Sequence, residues 1–218
     1  GHLPEAQLLA QGRELVGAVE AGGLHRMATL DYLERHLPRA GVLEESPVPA
    51  GWTIEPLADA AVLSGGDPRA LEPACRAEIA GVLDESYADT RDCPGLAGMR
   101  RTSDVLDGHF GLGAKPRFWL AARRGGITRG VCLMNASTDG GSAELVYLGL
   151  APEARGKGIG QALLAHGLHA CSRSRCASVS LAVDTRNVFA RRLYDGTDFA
   201  VFLRVLRSFE KRTRDLHA

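Results

Sequence analysis

The stretch ELVYLGLAPEARGKGIGQALLAHGL, Glu144 to Leu168, limits the folds open to this chain more than any other. An apolar, strand-like run ends at Leu150 and a proline-containing link follows. Three closely spaced glycines, Gly156, Gly158 and Gly160, then lead into a helix with Ile159, Leu163, Leu164 and Leu168 on its inward face. A helix N-terminus exposes unpaired backbone N–H groups and the positive end of the macrodipole, which makes it a seat for phosphate. Glycines permit a close approach, and Arg155 and Lys157 add positive charge where a pyrophosphate would sit. The spacing implies a diphosphate ligand.

Two common phosphate loops fit poorly. A Mg-nucleotide loop needs a hydroxyl residue after its lysine, and Lys157 is followed by Gly158. A dinucleotide fold would use Asp184 as the ribose-binding acid and predicts protection by NAD. Its glycines, however, run GxGxxG rather than the GxGxG found here, and only two parallel strands are readable.

The flanking segments supply a topology. RFWLAAR, TRGVCLMNAS and SAELVYLGL are strand candidates separated by Gly-containing turns, RGGI and TDGGS, which gives an antiparallel meander. ASVSLAVD reads as a buried strand, and the helix between it and ELVYLGL makes the two parallel neighbours joined by a right-handed crossover. NVFARRLYDG then reads as a short helix and FAVFLRVLRSF as a final strand or strand pair. Before the meander, Leu71, Cys75, Ile79, Val82 and Leu83 mark one amphipathic helix, and RTSDVLDGHF a shorter one capped by Thr102 or Ser103. The expected fold class is α/β, with a mixed sheet built from that meander and one parallel βαβ unit.

The N-terminal part reads differently. Residues 5 to 20 place Leu8, Leu9, Gly12, Leu15, Val16 and Val19 on one helical face, and a glycine break precedes a strand-like MATLDYLER. Pro38 to Trp52 reads as a linker. The expected division is an extension with linker over 1–47 and a main domain over 48–218.

Lys plus Arg and Asp plus Glu number 26 each, so no global field draws the protein to nucleic acid or anionic lipid. Five cysteines at irregular spacings fit reduced thiols better than a disulfide frame or a zinc site, so no metal is expected. No apolar run reaches the ~18 residues of a membrane span and no leader opens the chain, so a cytoplasmic location is expected. His109, His166 and His169 stand in no metal-ligand pattern and read as surface or core residues.

LVYLGLAPEARGKGIGQALL resembles the acetyl-CoA signature of the GCN5-related N-acetyltransferases (GNAT), and the order of elements over roughly residues 52 to 210 is similar to that superfamily's. The resemblance implies that the strands ending at Leu150 and Asp184 splay apart to admit the pantetheine arm of acetyl-CoA. The backbone of Leu148, Gly149 and Leu150 would then meet pantetheine and the acetyl carbonyl, with Gly149 at a local bulge. Arg155, Gly156, Lys157, Gly158, Ile159 and Gly160 would hold the pyrophosphate, and Asn187 would bond the pantetheine. Tyr194, in ARRLY, would protonate the departing thiolate. A strand N–H near Leu148 or Leu150 would support the oxyanion. Glu144, sharing a face with Val146 and Leu148 by alternation, would take the proton of the amine. Asp198 stands where relatives carry a turn glycine, and tolerates positive φ better than most residues.

By the same resemblance, an acceptor would meet Asp84, Glu85, Tyr87, Asp89, Asp92 and Asp104, carboxylates suited to a cationic amine, with Arg91, Arg100 and Arg101 interleaved. The function so implied is acetyl transfer from acetyl-CoA to the primary amine of a small molecule or peptide, by direct attack in a ternary complex without metal. The rival is a noncatalytic acyl-CoA-binding sensor or scaffold. The first 45 residues echo the end of the main domain and resemble the degenerate repeat of tandem acetyltransferases. Such a remnant would pack on the sheet or be exchanged within a homodimer; an unrelated arm is the alternative.

Overall fold

A computed structural model describes residues 7–22, 25–38, 43–57, 73–87, 101–109 and 115–209. Along the chain run β1 (Gln7–Ala10), α1 (Arg13–Ala21), β2 (His25–His36), β3 (Thr53–Pro56), α2 (Pro73–Tyr87), α3 (Thr102–His109), β4 (Lys115–Arg124), β5 (Ile127–Ala136), β6 (Ser142–Leu150), α4 (Ile159–Arg173), β7 (Ser178–Asp184), α5 (Val188–Asp195) and β8 (Ala200–Phe209). All eight strands join one mixed sheet in the order β1-β8-β2-β7-β6-β5-β4-β3. The predicted meander is β4-β5-β6, antiparallel throughout, and β6 and β7 form the one parallel pair among the described residues, across the α4 crossover.

Three expectations at the N-terminal end change. The helix starts at Arg13 rather than residue 5, because Gly12 adopts a left-handed φ of 85°, and Gln7–Ala10 pairs with β8 as an edge strand. The strand around MATLDYLER lies in the middle of the sheet, antiparallel to both β7 and β8. The closing segment is a single strand, β8, because β2 fills the place that a second closing strand would take.

The segment read as a linker is a strap across α4. The Leu43 N–H donates to Ser172 Oγ at 3.2 Å, and the Leu43 and Ser46 carbonyls meet His169 Nδ1 and His166 Nε2 at 2.5 and 3.0 Å. Leu43 and Val48 pack against the core, and Trp52 is buried in it. His166 and His169 therefore hold the strap in place.

One face of the sheet carries α4 and α5, the other α2 and α3. Ile159, Leu163, Leu164 and Leu168 of α4 are buried against Cys132, Met134 and Leu145 of the sheet. Each such side chain contributes about 1.5 to 3 kcal/mol of transfer free energy. On the opposite face Ile79, Val82 and Leu83 of α2 and Leu106 of α3 enclose Trp119 and Leu133. Trp119 Nε1 donates to Asn135 Oδ1 at 2.9 Å, and Asn135 Nδ2 donates to the His109 carbonyl at 2.7 Å, which ties the end of α3 to β5. No helix among the described residues is long and apolar enough to cross a membrane.

Candidate acyl-donor cleft and acceptor face

The parallel ladder between β6 and β7 is short. It runs from Ser142–Ser178 to Leu145–Leu181 and stops. Beyond it β6 remains paired with β5 as far as Gly130–Leu150, and β7 with β2 as far as Leu30–Asp184. The two strands therefore part in the middle of the sheet, and Leu148, Gly149 and Leu150 stand on one wall of the opening.

A bulge in β6 sets which side chains face which way. Leu133 pairs with Tyr147 and Met134 with Leu145, so Val146 is the extra residue. The bulge is thus at Val146 and not at Gly149, and the expected common face of Glu144, Val146 and Leu148 is broken there. Leu148 and Leu150 turn to the α4 side, while Tyr147 joins Val146 against α2 and α3. The absence of a side chain at Gly149 has its own reason: a Cβ there would collide with the Tyr147 ring.

The glycine-led helix start lies directly after this wall. Gly156 and Gly158 have φ of 69° and 77°, a left-handed backbone that side chains other than glycine's strain to adopt. The N-cap, Gly158, makes no side-chain cap bond, so the first backbone N–H groups of α4 keep their donor capacity. Among the described residues, a Cβ on Gly156 would meet nothing within 4 Å, and one on Gly158 only Pro49 Cγ at 3.9 Å, so those residues leave the cradle open. Open space, forward-pointing amides and the helix dipole fit an anionic diphosphate. Gly160 serves packing instead: its Cβ would stand 3.4 Å from Leu150 Cδ1. The Arg155 guanidinium donates to the Leu150 and Ser86 carbonyls at 3.2 and 3.1 Å, joining α2 to β6, and Lys157 Nζ donates to the Glu153 carbonyl at 2.6 Å.

Asn187 caps α5, its Oδ1 accepting from the Ala190 N–H at 3.2 Å. Tyr194 is 7% exposed and packs edge-on against Phe199, with ring centroids 5.7 Å apart. Asp198, in the turn between them, takes a φ of 58°, so an aspartate fills the left-handed position where a glycine was expected.

On the α2/α3 face, Tyr147 is the centre of a polar and aromatic group that sequence reasoning missed. Its hydroxyl is hydrogen-bonded to Ser86, and its ring meets Tyr87 at 6.0 Å and His109 at 5.8 Å. A YLGL strand offers Tyr147 as one more apolar position, and only the bulge turns it toward α2. Glu144 pairs with Ser180, one position before the ladder ends, and desolvation raises its carboxyl above the ordinary range although part of its surface stays open. Among the expected acceptor carboxylates, Asp84 accepts from the Thr102 hydroxyl, and Glu85 pairs with Arg129, which also holds Glu153 at 2.8 Å. Asp89, Asp92, Arg91 and Arg100 lie outside the described residues.

Among the described residues His109 Nε2 is a buried atom without a hydrogen-bond partner, and burial pushes the imidazole down from 6.5 to about 4. The folded state therefore binds the proton less tightly than the unfolded chain. The stability tied to a neutral His109 is complete above about pH 6.5 and is lost as pH falls toward 4. We expect urea unfolding to show a loss of up to about 3 kcal/mol over that window. His109→Phe should flatten this slope, and an unchanged slope would refute the assignment.

Comparison with known proteins agrees with this geometry. The Acetyltransferase (GNAT) family profile matches residues 83–199. No curated protein matches this chain in sequence. A GCN5-related N-acetyltransferase from Sphaerobacter thermophilus is similar in structure, with a TM-score of 0.63 and 18% identity over 94% of this chain and 60% of that one. A tandem GNAT protein from the clavulanic acid biosynthesis pathway gives 0.63 and 17% over 94% and 63%. A GCN5-related N-acetyltransferase from Kribbella flavida gives 0.56 and 14% over 96% and 68%. The chain thus spans less than two thirds of the length of the first two. With its matched core, its split β6/β7 pair and its glycine-led α4, the chain belongs to the GNAT acetyltransferase family.

Proposed function

We propose that the protein transfers an acetyl group from acetyl-CoA to a primary amine of a small molecule or peptide, by direct attack in a ternary complex. The observation that carries this reading is the parting of β6 from β7 immediately before the open, glycine-lined N-terminus of α4. The bound thioester supplies the activated acetyl group. Residues 156–160 would seat the diphosphate, with Arg155 and Lys157 contributing positive charge beside it. Leu148, Gly149 and Leu150 would offer backbone groups to the pantetheine and the acetyl oxygen, and Asn187 its side-chain amide.

Glu144, with its raised carboxyl, holds the role of proton acceptor from the amine. Tyr194 holds that of proton donor to the leaving sulfur. The likeness to a tandem protein supports reading residues 7–36 as the closing part of an earlier repeat.

The test is release of free thiol from acetyl-CoA with a panel of amines. Tight binding without turnover on any amine would favour an acyl-CoA sensor or scaffold. Because the Tyr194 ring is packed on Phe199, Tyr194→Phe keeps the packing and removes only the hydroxyl. We expect kcat to fall on the order of 100-fold or more with the dissociation constant of acetyl-CoA nearly unchanged. Equal losses in both would overturn the role given to Tyr194.

A further inference from the structure

Two arginines tie the last turn of α2 to the link that leads into the glycine-led start of α4. Arg155 ends that link, and its guanidinium forks: Nε donates to the Leu150 carbonyl at 3.2 Å and Nη2 to the Ser86 carbonyl at 3.1 Å. Ser86 is among the last four residues of α2, whose carbonyls have no partner inside the helix. A cation at that end also meets the negative pole of the helix dipole. Arg155 is thus a C-terminal cap for a helix residue 69 positions away in the chain.

Arg129 of β5 makes the second tie. Its Nη1 lies 3.3 Å from both carboxylate oxygens of Glu85 in α2, and its Nε 2.8 Å from Glu153 Oε1 in the link. Its carbonyl accepts from the Ala151 N–H at 2.8 Å, which fixes where the link begins. Within the link the Ala154 N–H donates to the Ala151 carbonyl at 2.9 Å and the Arg155 N–H to the Pro152 carbonyl at 3.2 Å, a tight turn that holds the segment as a unit. The Glu153 carbonyl accepts from Lys157 Nζ at 2.6 Å. Glu85, read from the sequence as an acceptor carboxylate, is therefore a strut.

Two chains of contacts thus run from the diphosphate seat to the same helical turn, one through Lys157, Glu153, Arg129 and Glu85, the other through Arg155 and Ser86. The turn passes the contact on. Ser86 Oγ donates to the Leu83 carbonyl at 2.8 Å and is hydrogen-bonded to the Tyr147 hydroxyl, and the Tyr87 ring packs on that of Tyr147. The position of both tyrosines is therefore set partly by the segment that would hold the phosphates.

Resting on the reading of the protein as an acetyltransferase, we propose that Arg155 and Arg129 are positioning residues for the acceptor. They set the end of α2, and with it Tyr87 and Tyr147, from the diphosphate seat, so that a filled seat tightens the binding of the amine. The charge of Arg155 still stands beside the diphosphate, while its two donors serve β6 and α2. By linkage the coupling is reciprocal: bound amine tightens the hold on coenzyme A by the same factor.

Arg155→Lys separates the two roles, because lysine keeps the positive charge but cannot reproduce a planar fork that meets two carbonyls at once. The KM for the amine should rise on the order of 10-fold, as loss of a charge-assisted hydrogen bond implies. Both kcat and the dissociation constant of coenzyme A should stay within about 3-fold of the parent. Arg129→Gln, which removes no group from the seat, should raise the KM in the same sense. A dissociation constant that rises as much as the KM would make Arg155 a phosphate ligand and overturn the proposal. So would a fall in Tm with the KM unchanged, the mark of a purely structural tie. Hydrogen exchange reads the coupling without turnover: saturating coenzyme A should slow the amides of residues 84–87 on the order of 10-fold in the parent and leave them unchanged in Arg155→Lys. Equal slowing in both proteins, or slowing in neither, would overturn the coupling and leave the proposed reaction standing. Failure of coenzyme A to bind the parent would overturn both.

Discussion

Gly158→Glu is expected to raise the dissociation constant for coenzyme A by on the order of 100-fold or more, about 3 kcal/mol. Two effects act together. The new carboxylate stands where the diphosphate would meet the α4 amides, so like charges oppose each other in a partly desolvated seat. The side chain also occupies space that, among the described residues, only Pro49 Cγ borders, at 3.9 Å. The protein should stay folded: a non-glycine residue at a φ of 77° costs on the order of 1 to 3 kcal/mol, and an acidic side chain at a helix N-terminus returns part of that. Calorimetric titration with coenzyme A and a thermal melt separate the two quantities. Gly160→Ala is the control, since its methyl would make ordinary van der Waals contacts among the described residues, with Leu150 Cδ1 at 3.4 Å and Leu193 Cδ2 at 3.8 Å. Wild-type affinity in Gly158→Glu would place the diphosphate elsewhere and remove the main support for the proposed reaction.

The second large effect lies far from the cleft. Asp31 sits in the middle of β2 with 1% exposure, its carboxylate bound by Arg204 Nε at 2.5 Å, Arg204 Nη2 at 2.9 Å and Arg191 Nη1 at 2.9 Å. The hydrogen bond from Arg204 is the chief reason its carboxyl is held below the ordinary range, against the opposing pull of burial. Arg191→Met with Arg204→Met would leave a buried, unpaired charge. We expect a loss of roughly 3 to 5 kcal/mol, seen as a fall in Tm on the order of 10 °C.

The arginines are far less buried than their partner, with side-chain exposures of 24% and 64%, so removing the acid strands them in or near water. Asp31→Ala should therefore cost less than the double arginine variant. The depressed folded value also sets the pH sense: stability from Asp31 is present above about pH 3.8 and is lost as pH falls below it. In the arginine double variant burial alone remains, the sign reverses, and acidification should relieve part of the penalty. A double variant as stable as the parent would show that the triad contributes nothing net.

The half of the molecule from Lys115 onward was legible because its signals are local. Gly-containing turns announce the hairpins, and the apolar spacing of Ile159, Leu163, Leu164 and Leu168 announces α4. In the N-terminal half the helices α2 and α3 were legible by their apolar spacing, but the strands were not, because what decides them is long-range. Gln7–Ala10 has the apolar content of a helix start, and only pairing with β8 makes it a strand. TIEP is too short and too polar to announce β3. HRMATLDYLERH is a recognisable strand, yet nothing in it reveals a central position.

In the site, the residue types were readable but their orientation was not. Val146 carries no mark of a bulge, and without it Tyr147 cannot be placed beside Ser86 and His109. The reason for Gly149 was likewise hidden, since the ring it accommodates belongs to its own strand.

The place of β2 bears on how the molecule is made. It leaves the ribosome before both of the neighbours that complete its backbone bonding, β7 and β8. Until then β2 lacks both partner strands, and both of its pairings join residues far apart in the chain, the arrangement that slows folding and exposes nascent chains to aggregation. Interrupted translation after α4 should thus yield a species that needs chaperone protection, whereas release after β8 lets β2 slot between its two neighbours and close the sheet.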